Sequence, residues 1–293
     1  MTRRSCSLPL LIGVLALALW PTNQAQAGAW SQEQGQCYAK VWARAIVGSG
    51  AFETDGDTRG DIADYADVSA QIYAECGLHP QLTAIVFGAP FGWASAGSES
   101  AVYMGPIGVG LRFEPYWSTG ATRFALQAAY SFAPPVGDDV LFEEAGADPR
   151  VFYQAALENH YGEIQALLGH GFSVSQNVSA WFSGGAGVRI NSAGSMSPAV
   201  IASLQLGFTF YERFQLEVHV PVYEPFGRGI TETNISGVGQ TRYIGWGLGA
   251  SFWIADSFAL TAGFEGAAIA SSNAATPSLI FGIESRFRVW GED

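Results

Sequence analysis

The sequence is short of charge and of cysteine. Charged residues fill 14% of its 293 positions, against about 25% in an average soluble domain, and there are three cysteines. The high apolar content excludes a disordered chain. Despite 36 glycines there is no Gly-X-Y period, which excludes a collagen, and the cysteine count excludes a zinc-finger array. HExxH, GxSxG, paired CxxC and phosphate-loop patterns are all missing. After residue 36 no convincing helical period of apolar residues occurs. What remains is a chain of mean hydropathy +0.16 with a single long apolar run.

That run reads as an address. Arg3 and Arg4 precede an apolar stretch from Leu8 to Trp20, and Ala25-Gln26-Ala27 is a small-x-small cleavage site. This is the layout of a secretory signal peptide over residues 1–27, and the run is short for a membrane span. An uncleaved anchor is the alternative. Cys6 precedes the apolar run, which argues against a lipoprotein. Processing removes two of the 14 basic residues and leaves 12 against 26 acidic ones, a net charge of −14. Nucleic acid is therefore an unsuitable partner.

The rest of the apolar content alternates. Val200, Ala202, Leu204, Leu206, Phe208 and Phe210 interleave with more polar neighbours, and Leu216, Val218, Val220 and Val222 do the same beyond the turn Tyr211–Phe214. Twelve such strands are expected over 36–48, 66–76, 81–90, 103–116, 122–133, 157–170, 177–190, 198–211, 214–224, 240–254, 257–270 and 277–290. A soluble sandwich also alternates, but its strands are usually five or six residues long. Connections are short after even strands and long after odd ones, as in Gly77–Pro80 against Pro134–Ala156. Long strands, an even count and sorted loops imply an all-β chain. The fold class is a transmembrane antiparallel up-and-down β-barrel forming a single domain over 28–293. Its N-terminus and short turns would face the periplasm, and its long loops the exterior. Phe113, Trp117, Phe124, Phe210, Tyr211, Phe214, Phe252 and Phe258 gather near the short turns, where an interfacial girdle belongs.

Cys37 and Cys76 fall at the short-turn end of the first hairpin on the same parity. A symmetric hairpin would oppose them for a disulfide, and a slip of one residue would leave two lipid-facing thiols.

The less apolar parity defines the inner face. It carries Lys40, Arg44, Glu75, Arg112, Glu114, Arg123, Glu163, Arg189, Glu217, His219, Glu265, Glu284, Arg286 and Arg288. Such mixed charges suggest a salt-bridged interior, and a selectivity zone for a polar solute is the functional alternative. Inner-parity Gly108, Gly110, Gly185, Gly187, Gly245, Gly247 and Gly249 leave room for side chains from opposite strands, or mark kinks. The acidic excess sits in the long loops. The first holds Glu53, Asp55, Asp57, Asp61, Asp64 and Asp67; the third holds Asp138, Asp139, Glu143, Glu144 and Asp148. Asp55-x-Asp57 with Gly60 starts like a calcium loop, but Arg59 stands at position five and the closing glutamate is missing. Carboxylates this dense could collect Ca²⁺ or Mg²⁺; solvated acidic loops are the reading preferred, and no cofactor or metal is expected.

The stretches Gly28-Ala29-Trp30-x-Gln32-x-x-Gly35-x-x-Tyr38-x-Lys40-Val41 and Tyr73-Ala74-Glu75-Cys76-Gly77-Leu78-x-x-Gln81-Leu82-Thr83 resemble a group of Gram-negative outer-membrane barrels of the transporter type. That group includes barrels named after a phenol-degradation pathway. The chain departs from the pattern at Cys76 and in its trailing Gly291-Glu292-Asp293. Small barrels of this kind also serve gliding-motility and polysaccharide-export machines. The first functional reading is a narrow porin-like channel or uptake protein for a small or apolar solute. The alternative is a structural barrel anchoring an envelope-spanning complex. An outer-membrane hydrolase comes third, because no nucleophile accompanies His219 and Glu217. Expected partners are outer-membrane lipids, lipopolysaccharide, the barrel-assembly machinery, and periplasmic or outer-membrane complex subunits.

Overall fold

The computed structural model describes residues 29–118, 120–192, 196–226 and 229–290. The predicted leader, residues 1–27, and the trailing Gly291-Glu292-Asp293 lie outside them. Twelve strands make the wall. They are β1 (Gln36–Gly48), β2 (Tyr65–His79), β3 (Leu82–Ala96), β4 (Ile107–Phe113), β5 (Thr122–Ala133) and β6 (Asn159–Ser175), followed by β7 (Val178–Asn191), β8 (Ala199–Phe210), β9 (Phe214–Pro225), β10 (Arg242–Ala255), β11 (Phe258–Ser271) and β12 (Ser278–Arg288). Each pairs antiparallel with its chain neighbour, and β1 pairs with β12 from Gln36↔Arg288 to Ala45↔Leu279, closing the barrel. Closure satisfies every wall strand's backbone without an open edge, as hydrocarbon demands. The alternation fixes the two faces: outward Val41, Leu111, Ile164, Leu204, Leu260 and Phe281 are 46–63% exposed. An apolar band of that extent is what a bilayer covers.

Sequence and structure diverge at β3 and β4. The expected third strand stops at residue 90. Instead β3 runs through Pro90 to Ala96 and pairs with a further strand, Glu99–Tyr103. Ala89 and Pro90 are set aside in a bulge: Ala70 pairs with Phe91 and Ile72 with Gly88. Ala89 exchanges backbone bonds with Pro106 and Gly105. The segment expected to be the loop Phe91–Ala101 is thus largely a hairpin. The expected strand 103–116 is divided at Met104–Pro106.

The long loops do not extend as solvated chains. Two three-stranded sheets form among them, one from Val140–Glu143, Val151–Gln154 and Thr233–Asn234, the other from Ala51–Phe52, Thr58–Arg59 and Asn273–Ala274. Their apolar sides meet inward wall residues in one buried cluster, with Ile46, Tyr65, Ala94 and Ala96 from the wall and Leu141, Val151, Tyr153 and Ile235 from the loops. This cap is the largest hydrophobic core among the described residues.

Candidate functional site: the barrel interior

Of the fourteen charged or titratable residues assigned to the inner face, ten line the cavities described below, and Glu75, Glu114, Arg123 and Glu163 pair with one another or with a lining residue; they form separate groups along the barrel.

At the short-turn end a strap of chain, residues 29–34, enters the barrel and lies against β2–β7. Ala29 is fully buried with Ala125 and Leu167. Trp30 meets Trp181 edge-on at 6.4 Å, and glycine at 169 makes room, since a Cβ there would stand 2.7 Å from the Trp30 ring. Glu75 is 1% exposed and is the strap's main anchor. It accepts from Gln32 Nε2 at 2.5 Å, from Tyr73 Oη at 2.7 Å and from Arg112 at 3.0 Å. Arg112, also buried, donates to the Trp30 carbonyl at 2.9 Å and to Gln127 at 3.2 Å. Glu114 accepts from the Ser31 N–H at 2.9 Å and from Arg123 at 2.7 Å, and the Gln32 N–H donates to Thr83 Oγ1 at 3.1 Å. A buried ion pair gains little over an apolar core, but losing one partner costs much. Here Glu75–Arg112 holds a chain segment in place. The strap ends at Gly35, whose φ of +80° and 1.7 Å approach of a hypothetical Cβ to the Trp290 carbonyl leave no room for a side chain.

Cys37 and Cys76 stand directly opposite on β1 and β2 and are bonded, with Cα atoms 4.2 Å apart.

Above the strap is a central chamber of about 580 Å³. Gln32, Gln71, Gln127, Gln205 and Gln215 line it, with Tyr38, Trp42, Tyr73 and Trp181 as its aromatic surfaces. Its charges are largely paired internally: Lys40 with Glu284 at 3.1 Å, and Arg44 with Glu265 at 2.9 Å. His219 Nε2 adds to Glu265 at 3.5 Å. Ser251 also donates to Glu284, at 2.9 Å. Glu217 and Arg286 line the same chamber without an ion pair among the described residues; the Arg286 guanidinium lies 3.9 Å above the Trp253 ring. Inner glycines seat side chains from the adjoining strand rather than the opposite one: Phe87 lies over Gly108, His219 over Gly247 and Glu217 over Gly249.

Below the chamber, a vestibule of about 570 Å³ reaches the short turns between Tyr211, Arg213, Asp256 and Arg288. Chamber and vestibule share Gln32, Gln215 and Arg286 in their walls, which makes these three the neck between them. Arg288 stands at this end, 3.6 Å from Glu33.

Toward the long loops, Arg189 pairs with Glu163 at 2.5 Å and stacks on Tyr161 at 4.1 Å and Tyr223 at 5.2 Å. Tyr223 in turn stacks on Tyr243. Beyond this layer is a smaller cavity of about 200 Å³ against Ala155, Leu157 and Val238. The cap begins beside it. Its polar centre is Asp67, which belongs not to the first loop but to the inner face of β2. Asp67 is buried and accepts from Tyr103 at 2.8 Å and from Tyr153 at 3.1 Å. Burial pushes the Tyr153 phenol well above its ordinary range, and the Asp67 charge adds to this, so the phenol stays a donor.

Two loop expectations change as well. Arg59, which breaks the calcium-loop pattern, is a staple: it pairs with Glu53 at 3.2 Å and with Glu144 at 2.5 Å, joining the first and third loops. Arg150 holds Glu143 below the usual carboxylate range by hydrogen bonding. Among the described residues no group of three or more His, Cys, Asp or Glu is placed to hold a metal ion.

Sequence reasoning missed the strap, the Tyr103–Asp67–Tyr153 centre and the inward tyrosines. A signal for the first existed: residues 29–35 lie between the expected cleavage site and β1 with no alternation of their own.

No protein-family model and no curated protein matches the chain. Solved structures do. The chain is similar to an outer-membrane channel from Pseudomonas putida F1, at 10% identity and a TM-score of 0.62, over 90% of this chain and 100% of that one. The NanC porin aligns at 6% identity and 0.47 over 85% and 98%. The translocator domain of the autotransporter NalP from Neisseria meningitidis aligns at 14% and 0.43 over 87% and 90%. At such identities the likeness establishes the fold, that of an outer-membrane β-barrel.

Proposed function

We propose that this protein is a narrow outer-membrane channel for a small solute, seen with its outer end shut. One observation carries the reading: vestibule, neck and chamber follow one another from the short-turn end, and the loop cap closes the other. A structural peg has no use for a chamber of about 580 Å³ faced with amides and aromatic rings, whereas a small-molecule site is of this size. The balanced internal pairs argue against a wide ion-selective pore. The short turns and strap face the periplasm in this reading, after removal of the leader at residues 1–27. For a small or apolar solute, Tyr38, Trp42, Tyr73 and Trp181 offer surfaces. The alternative, an anchor for an envelope-spanning complex, makes the opposite prediction in bilayers. Purified protein in planar membranes gives reproducible conductance steps if it is a channel; a silent barrel that co-purifies with periplasmic partners is a scaffold.

A further inference from the structure

Among the described residues that line the chamber, the charges fall into pairs until two are left. Five of the six inner glutamates have a cation within 3.1 Å: Glu75 has Arg112, Glu114 has Arg123, Glu163 has Arg189, Glu265 has Arg44 and Glu284 has Lys40. The sixth, Glu217, makes no ion pair among the described residues, and its carboxylate lies across the backbone of Gly249. Arg286 is its counterpart of opposite sign. It makes no ion pair among the described residues, and its guanidinium carbon lies 3.9 Å from the centre of the Trp253 ring; a guanidinium held over a ring face keeps its N–H edges available for bidentate bonding. Both residues line the chamber. Arg286 stands at the neck, which it shares with Gln215. Glu217 is two residues beyond Gln215 on the same face of β9, roughly 6.6 Å along the strand. An unpaired carboxylate and an unpaired guanidinium in a partly desolvated chamber each favour a counter-charge.

We infer that the chamber is a binding site for a small zwitterion, a molecule of amino-acid or short-peptide type. Its ammonium is taken by Glu217 and its carboxylate by Arg286. The glutamines and Ser183, Ser203 and Thr261 solvate what lies between, and Trp42 and Trp181 pack against its apolar part. The inference rests on reading the chamber as a solute path and names the class of solute. A ligand with one charge would satisfy one residue and leave the other unpaired.

The test is binding to the purified, folded barrel in detergent, read by calorimetry and tryptophan fluorescence, so that it does not depend on conduction. The probes are L-alanyl-L-alanine, its N-acetylated form without the ammonium, and its C-terminal amide without the carboxylate. The dipeptide is expected to bind about tenfold more tightly than either blocked form, the size of one charge-assisted hydrogen bond. Glu217→Gln abolishes the preference over the acetylated form, and Arg286→Gln abolishes the preference over the amide. Heat-modifiable gel mobility verifies that each variant is folded; if Arg286→Gln fails to fold, Arg286→Lys replaces it and weakens the second preference. Equal binding of all three probes, no binding of any, or preferences that survive both substitutions overturn the inference. A barrel that binds the dipeptide and never conducts refutes the channel and leaves the site. One that conducts without binding it does the reverse.

Discussion

Glu75→Gln should release the strap from the barrel interior. The substitution keeps an acceptor for Tyr73 but removes the charge that holds Gln32 Nε2 at 2.5 Å and Arg112 at 3.0 Å. A hydrogen bond to a charged group contributes about 1.5–3 kcal/mol. Losing the one to Gln32 raises the undocked population of residues 29–34 roughly ten- to a hundredfold. Arg112, 3% exposed, also loses its counter-charge, which destabilises the barrel by about 3–5 kcal/mol. The assay must therefore report the strap and not global unfolding. Ser31→Cys provides the probe. The Ser31 hydroxyl is buried without a partner, so a thiol there forfeits no hydrogen bond. With Cys37 and Cys76 bonded, it is the one free thiol of a chain prepared without residues 1–27. Labelling by a membrane-impermeant reagent should be slow in Ser31→Cys alone and roughly ten- to a hundredfold faster with Glu75→Gln added, while heat-modifiable mobility stays that of a folded barrel. An unchanged rate in the folded double variant would refute the assignment of Glu75 as the strap's anchor.

Other consequences follow from the same contacts. Replacing Cys37 and Cys76 by serine frees a loop of sequence separation 39 and should lower unfolding free energy by about 4 kcal/mol on the chain-entropy estimate, measured by urea unfolding in lipid. Gly247→Ala places a Cβ 2.1 Å from the His219 ring and should cost about 1–3 kcal/mol by overpacking. Gly162→Ala meets nothing within 4 Å and should be neutral or mildly stabilising in the same assay. Glu143 has a lowered pKa in the folded loop, so its contribution is present above the unfolded value, about 4.3, and fades as pH falls through the lower folded value. Proteolysis between Phe142 and Arg150 should therefore accelerate below about pH 4, and Glu143→Gln should remove that dependence.

The wall was legible in the sequence because lipid imposes a period of two on every strand that crosses it. The expected spans 36–48 and 122–133 coincide with β1 and β5, and the count of twelve holds. What was not legible depends on who meets whom. That β3 continues past residue 90 depends on the Met104–Pro106 segment beside it, which bonds Ala89 at the bulge. Asp67 reads as one more loop acid, because nothing local announces that Tyr103 and Tyr153 converge on it from 36 and 86 residues away. The parity of the inner charges could be read, but their partners could not. Glu163 and Arg189 become a pair through the β6–β7 register, whereas Arg44 reaches Glu265 across 221 positions. The strap has no periodicity at all; its place is set by Glu75, Arg112 and Glu114.

Single-channel recording of the wild-type barrel beside Asp67→Asn tests the central claim most directly. Asparagine offers one side-chain acceptor where Tyr103 and Tyr153 now share a carboxylate, so the cap loosens while no residue of the chamber or neck is replaced. The account predicts brief, small steps for the wild type and longer-lived openings for Asp67→Asn. Silence from both proteins under applied voltage, with folded barrels verified in the membrane, would contradict it.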